Sequence, residues 1–362
     1  MLTKRAFPRT LVAGLILLAG VLAPMATAGG SGWQPDRVAL TAVSPLGSAV
    51  PTIAATLAAA LLPAPPAAVP GATCTYYAAP GGDDENPGTL ELPWATFQHA
   101  ADTAQPGDTV CFRGGVYPLT EEAHLTVSGT AGAPITFIAY TGESPILDSG
   151  NTVSGVLILD QYTSYVRISG FALRNFTIWG IELSGENRYV QLDHLDVAGG
   201  EGSVHFTVGE TEAPPLYGPV EYIILEDSTI HGSIYSAVDC TPGPCNHMVV
   251  RRVEIYDTGE EASFGSDGLE FARGYPVLVE DCYVHDNSGD GIDLNSRDRA
   301  GNVVGVVVRR NRVINNALNG IKLWSGGRME NNIVWGEGDS AVWVGTYTCT
   351  LEVVNNTIAY NM

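Results

Sequence analysis

Lysine is almost missing from this chain: after Lys4 there is only Lys322, against fourteen arginines in the part that follows the leader described below. Positive charge is scarce altogether, with 18 Lys and Arg facing 39 Asp and Glu and a formal net charge of -21. A chain without a basic patch has nothing with which to neutralise phosphates, which excludes nucleic acid and anionic membranes as partners. The same charge turns away a polyanionic substrate unless a cation stands between the two. No Cys/His spacing fits a zinc site, and the seven histidines are expected on the surface or in loops.

Long apolar runs are also wanting. The one near the start, Leu11 to Leu22, follows Lys4, Arg5 and Arg9 and precedes Ala26-Thr27-Ala28, the pattern of a signal peptide covering residues 1–28. It is shorter than the ~20 residues a spanning helix needs and ends in Pro24, so no membrane span is expected after cleavage. A secreted, extracellular protein follows, expected to act as a monomer. Residues 29–73 are Ala, Pro, Ser and Gly with little charge, and their apolar stretch Ile53 to Leu62 is closed by Pro63, Pro65 and Pro66, which makes this segment a linker. Residues 74–362 show no second linker. They are too many for one ordinary core but not for a solenoid, which grows by repetition. The chain stops at Asn361-Met362 within its repeat pattern, so the domain is expected to be truncated there. Of the six cysteines, Cys240 and Cys245 close a loop short enough to be stapled, and Cys74 with Cys111 makes a second pair; Cys282 and Cys349 are left without a pairing.

What the chain does have is internal repetition. Units such as YVRISGFALRNF, YVQLDHLDVAGG, YIILEDSTIHG and MVVRRVEIYDTG start at residues 165, 189, 222 and 248, and related ones start at 277, 306, 328 and 351. Each alternates apolar with polar residues, turns at Asn, Gly or Asp, and gives a second short strand. Alternation of period two means half-buried strands, and a repeat of 22 to 33 residues means one coil per unit. None of these units carries the 3.6 period of helical repeats. The fold expected is all-β, a parallel β-helix. Ahead of the coils, residues 93–104 place Phe97, Ala100, Ala101 and Ala104 on one face of a short helix that would cap the open end of the solenoid.

Aligning the second strand of every coil on Gly/Ser-apolar-Z-apolar gives an outward column Z of Glu182, His205, Asp239, Glu270, Asp293, Lys322 and Trp343. Coils stack at about 4.8 Å, which makes Glu270, Asp293 and Lys322 consecutive rungs. Three positions before Z stand Asp267 and Asp290, so four carboxylates gather on two rungs. Like charges so close need a counter-ion, and a hard cation with oxygen ligands, calcium for preference, meets the need; pairing with Arg273, Arg297 or Lys322 is the plainer alternative. Where arginine serves everywhere else, a lone lysine marks a position that arginine cannot fill, because only the lysine can approach neutrality and act as a base. Carboxylates alone would raise its pKa; a bound divalent cation reverses that field, so the base depends on the metal. Trp324, Trp335 and Trp343 are expected near the column, where they could stack on sugar rings.

The segments TyrTyrAlaAlaProGlyGlyAspAsp from Tyr76, ProTrpAlaThrPheGln from Pro93 and ProGlyAspThrValCysPheArgGlyGlyValTyr from Pro106 together resemble the amino-terminal cap of pectate-lyase-like right-handed β-helix proteins, in particular polysaccharide lyase family nine. SerAspGlyLeuGlu (266–270), GlyAspGlyIleAsp (289–293) and AsnGlyIleLysLeu (319–323) resemble that family's calcium and base segments. The resemblance implies Asp267, Asp290 and Asp293 as calcium ligands and Lys322 as catalytic base. Gly289 stands where the family has a further aspartate, and Glu270 is the candidate to replace it. The implied activity is calcium-assisted β-elimination on a uronic-acid polysaccharide such as pectate, with Arg297 and Arg299 as candidates to hold a neighbouring sugar carboxylate. Two other readings stand beside it: a carbohydrate-binding or surface-display module without turnover, and a glycoside hydrolase, for which the rung after Asp293 offers a lysine in place of a second acid and no Gly-His-Gly segment follows.

Overall fold

A computed structural model describes residues 73–206, 218–241, 243–259, 266–295, 305–324, 326–345 and 351–359. Among them the chain winds into a parallel β-helix of three sheets, with 12, 10 and nine strands. Each coil visits them in that order, as in Ser164–Ser169, Ala172–Arg174 and Trp179–Leu183. Every strand pairs in parallel with its counterpart in the next coil, so residues at one position of the repeat form a ladder along the axis.

The inward ladders build the core. Ile181, Val204, Val238, Leu269, Ile292 and Ile321 follow one another in register and are fully buried. Removing each such side chain from water is worth about 1.5–3 kcal/mol. At the corner between the 12- and 10-stranded sheets, Asp227, Asp281, Asn331 and Asn355 adopt positive φ, the region Asn and Asp tolerate best among residues with a side chain. The residue that follows carries the buried polar chemistry of the corner. Asn311 Nδ2 donates to Asn332 Oδ1 at 3.0 Å, and Asn332 Nδ2 to Asn356 Oδ1 at 2.8 Å. A second ladder occupies the corner that feeds the nine-stranded sheet: Asn287 Nδ2 donates to Asn316 Oδ1 at 2.8 Å, and the Asn316 backbone N–H to Glu337 Oε2 at 2.7 Å. These bonds satisfy backbone and side-chain groups that water does not reach, and they fix the approach of each strand that bears a site residue.

The capping helix, α1, runs over Phe97–Thr103 and starts later than the expected residue 93. Trp94 is instead bridged to Ala78, and the Asp84 carboxylate takes the N–H groups of Ala95 and Thr96, which holds this stretch extended. The Thr96 side chain then accepts from His99 N and caps α1. The apolar face is the expected one: Phe97, Ala100, Ala101 and Ala104 are buried, and the Phe97 ring lies against Phe112, Phe137 and Phe171. Both expected disulfides, Cys74–Cys111 and Cys240–Cys245, are formed. Cys282 is a buried free thiol, and Cys349 lies outside the described residues.

Candidate active site

The strands Leu269–Phe271, Ile292–Leu294, Ile321–Leu323 and Val342–Val344 are neighbours in the nine-stranded sheet. Their register pairs Glu270 with Asp293, Asp293 with Lys322 and Lys322 with Trp343, and one step earlier His205 with Asp239 and Asp239 with Glu270. The outward column expected from the repeats is therefore the one the fold builds. Glycines at 268, 291 and 320 set the strand entrances; a Cβ on Gly291 would lie 2.6 Å from Val313 Cγ1 and 2.7 Å from the Gly320 carbonyl oxygen. With no side chain there, the turn residues before the strands stack closely. The Asp290 N–H donates to Asp267 Oδ1 at 2.6 Å, and Asn319 gives its N–H and its Nδ2 to Asp290 Oδ1 at 2.8 and 2.6 Å.

Asp267, Asp290 and Asp293 each bring an oxygen within 4.8 Å of the others, and all three residues are buried. Lys322 Nζ stands 2.7 Å from Asp290 Oδ2 and 2.8 Å from Asp293 Oδ2, with the rings of Trp324 and Trp343 at 5.0 and 5.8 Å. These groups line a cavity of about 250 Å³ together with Glu270, Phe271, Ala272, Asn295 and Leu318. Burial, aided by the charge of Asp290, pushes the Asp267 carboxyl up to about 8. Burial also raises Asp293, against the opposing pull of Lys322 and a hydrogen bond from Trp324. Burial alone would lower the Lys322 ammonium, but its hydrogen bonds to Asp290 and Asp293 outweigh this and hold it above its ordinary value.

The three aspartates fit a hard divalent cation. Their oxygens converge, burial disfavours the unneutralised charge of Asp267 and Asp293, and buried oxygens Asp293 Oδ1 and Asn319 Oδ1 lack a hydrogen-bond partner. Lys322 supplies the counter-charge in this state, so the plainer pairing foreseen for these carboxylates also occurs. Glu270 does not join the triad. Its Oε2 accepts from Ser236 Oγ at 3.0 Å, one coil earlier, and burial with the charge of Asp239 pushes it up to about 7.

Arg297 and Arg299 lie outside the described residues. Trp335 is not near the column: its strand, Ile333–Trp335, belongs to the 10-stranded sheet, because the unit at residue 328 runs straight from its first strand into that corner. Trp324 and Trp343 do flank Lys322.

The His205–Asp239 pair gained no role from sequence. His205 Nδ1 lies 2.9 Å from Asp239 Oδ2, Thr241 Oγ1 donates to Asp239 Oδ1 at 2.7 Å, and the Trp179 ring stacks on His205 at 4.0 Å. The column places both residues on adjacent rungs, but only side-chain geometry shows them joined. The third sheet is also distinct in charge. The described arginines on the other two sheets and at their shared corner, Arg312 apart, are matched with carboxylates, for example Arg167 with Asp193, Arg174 with Asp196, Arg251 and Arg252 with Glu226, and Arg309 and Arg310 with Glu280.

Residues 154–358 match the family described as right handed beta helix region. The chain belongs to the right-handed β-helix family. Within this family, residues 76–212 match the Pel9A-like right handed beta helix region, which covers the capped end and the first coils. An uncharacterized protein of Bacillus subtilis, YwoF, is 24% identical over 79% of this chain and 74% of its own length. Pectate lyase PEL9 of Emericella nidulans is 44% identical, over 20% of this chain and 18% of its own. The crystal structure of pectate lyase Pel9A superimposes with a TM-score of 0.54 at 14% identity, over 79% of this chain and 78% of that one. XylC, in its complex with xylose, does so at 0.51 and 13%, over 73% and 69%. At such identities the two structures speak for the fold alone.

Proposed function

We propose that this protein is a secreted polysaccharide lyase that cleaves a uronic-acid polysaccharide by calcium-assisted β-elimination, with Lys322 as the base. The observation that carries the reading is that the one lysine among the described residues stands on the rung after Asp293, within 2.8 Å of two members of a buried aspartate triad. Asp267, Asp290 and Asp293 would hold the cation. When bound, calcium supplies the counter-charge these carboxylates otherwise draw from Lys322 and, as a Lewis acid, makes the proton beside a uronate carboxyl easier to remove. Lys322 Nζ, no longer needed as counter-ion, would release its extra proton to solvent and in its neutral form take the C5 proton; the C5–H electron pair becomes the C4–C5 double bond, and the bond from C4 to the glycosidic oxygen breaks with its electron pair going to that oxygen, which takes a proton from water. Trp324 and Trp343 flank the amine and offer their ring faces beside it. The pair of disulfides accords with export to an oxidising compartment, and among the described residues no helix is long and apolar enough to cross a membrane.

One observation favours a second reading. Asp290 and Asp293, at 2.7 and 2.8 Å from Lys322 Nζ, favour its ammonium form over the neutral amine, as suits a module that binds an acidic glycan without turning it over. Polygalacturonate with calcium separates the two: a lyase generates ultraviolet-absorbing unsaturated ends, whereas a binding module retains the polymer and generates none.

A further inference from the structure

Among the described residues, Arg273 alone of the arginines has no carboxylate or aromatic ring as partner; even Arg312, which lacks an ion pair, lies over the Tyr283 ring at 4.6 Å. A chain with a net charge of -21 has carboxylates in plenty, so an exposed guanidinium left without one is notable for its place. That place is the exit of a site strand. Arg273 directly follows Phe271 and Ala272, which both line the cavity of the aspartate triad.

Its backbone is held from the coil before by the disulfide-closed loop Cys240–Cys245. The Ala272 N–H donates to the Cys240 carbonyl at 3.0 Å, and the Cys245 N–H donates to the Arg273 carbonyl at 3.1 Å. Between these bonds the loop closes on the arginine: a Cβ on Gly243 would come within 2.9 Å of Arg273 Cβ, and one on Gly274 within 1.7 Å of the Cys245 carbonyl oxygen. Gly243 and the disulfide cysteines are thus pressed against the backbone of a single unpaired arginine, one residue past the cavity-lining Ala272.

We infer that Arg273 binds a carboxylate of the sugar chain at the rim of the site, and that the Cys240–Cys245 loop is the mount that positions it. This deepens the uronate reading proposed above and rests on it. A guanidinium offers two parallel N–H donors that match a carboxylate, and it stays charged at any working pH. An exposed mounting leaves those donors to solvent until a substrate arrives. The ligand class is a polymer with a uronate next to the one at the elimination centre.

The test uses the full chain with polygalacturonate in two measurements, affinity by gel retardation and turnover by unsaturated ends. Arg273→Gln is expected to weaken retention and raise KM by about tenfold, as the loss of a hydrogen-bonded charge pair does, with kcat close to unchanged. Arg273→Lys recovers part of the affinity because it restores the charge without the fork. The double change Cys240→Ser with Cys245→Ser moves KM in the same direction and leaves retention of a neutral glucan as it was. Wild-type affinity and KM in Arg273→Gln, or no retention of polygalacturonate by the intact protein, overturns the assignment. A failure of the lyase reading shows separately, as retention that depends on Arg273 with no unsaturated product.

Discussion

Gly289 is where this chain departs from the family it resembles, and its surroundings explain why an aspartate is not simply missing. A Cβ there would lie 2.4 Å from Asp267 Oδ1 and 2.7 Å from the Ser266 carbonyl carbon, both buried. Gly289→Asp is therefore expected not to restore a fourth ligand. It should destabilise the fold by about 1–3 kcal/mol through overpacking, visible in urea unfolding, and calcium affinity by calorimetry should not rise. Tighter calcium binding with unchanged stability would contradict this. The Asp267 carboxyl, pushed up to about 8 by burial and Asp290, makes a second prediction at this scale. A ligand must be deprotonated to bind, so calcium affinity should climb as pH rises through that value and fall on the acid side, as a calorimetric titration would follow. Much of this was legible in the sequence: the column from Glu182 to Trp343 and the entry aspartates are read from alternation and spacing alone. The direction of the Glu270 carboxylate was not, because a repeat pattern says which face a side chain leaves from and not which neighbour it turns to.

At the scale of the element, the strands were legible because each must alternate to bury one face, and the register followed because a slip of one residue would turn that face outward. The corners were less so. The buried ladders Asn311–Asn332–Asn356 and Asn287–Asn316–Glu337 use residue types that also mark plain surface turns, and only stacking shows that they face inward. Asn316→Leu should cost about 1–3 kcal/mol, since it strands the Asn287 donor in the interior, and a urea midpoint reads this directly. Glu337 ends its ladder with Oε1 buried and unpartnered, and burial pushes its carboxyl up to about 7 from 4.5. Below 4.5 it is protonated in both folded and unfolded chains. Between these values the folded chain keeps a proton the unfolded one releases, so stability falls as pH rises through this window. The full loss is of order 3 kcal/mol for such a shift. Glu337→Gln should remove that slope, raising the unfolding midpoint near about pH 8 and changing it little in acid.

Taken as a whole molecule, the solenoid sorts its charges. Apart from Arg312, the described arginines along the 12- and 10-stranded sheets are matched with Asp and Glu, whereas the nine-stranded sheet bears acidic and histidine side chains with Lys322 as its one lysine among the described residues. Opposed charges on two faces tie coil to coil, and an acidic third face can approach an acidic polymer only with a cation between them. The composition raises the expectation of such a dependence; which face would carry it required the coil register. The most direct test of the account is absorbance from unsaturated sugar ends when the exported chain acts on polygalacturonate with calcium, alongside Lys322→Ala. The intact protein should generate the signal and lose it to a chelator, and Lys322→Ala, folded to the same unfolding midpoint, should fall by at least about a thousandfold. Unsaturated product at an undiminished rate from Lys322→Ala, or reducing ends without that absorbance from the intact protein, would contradict the assignment of Lys322 as the eliminating base.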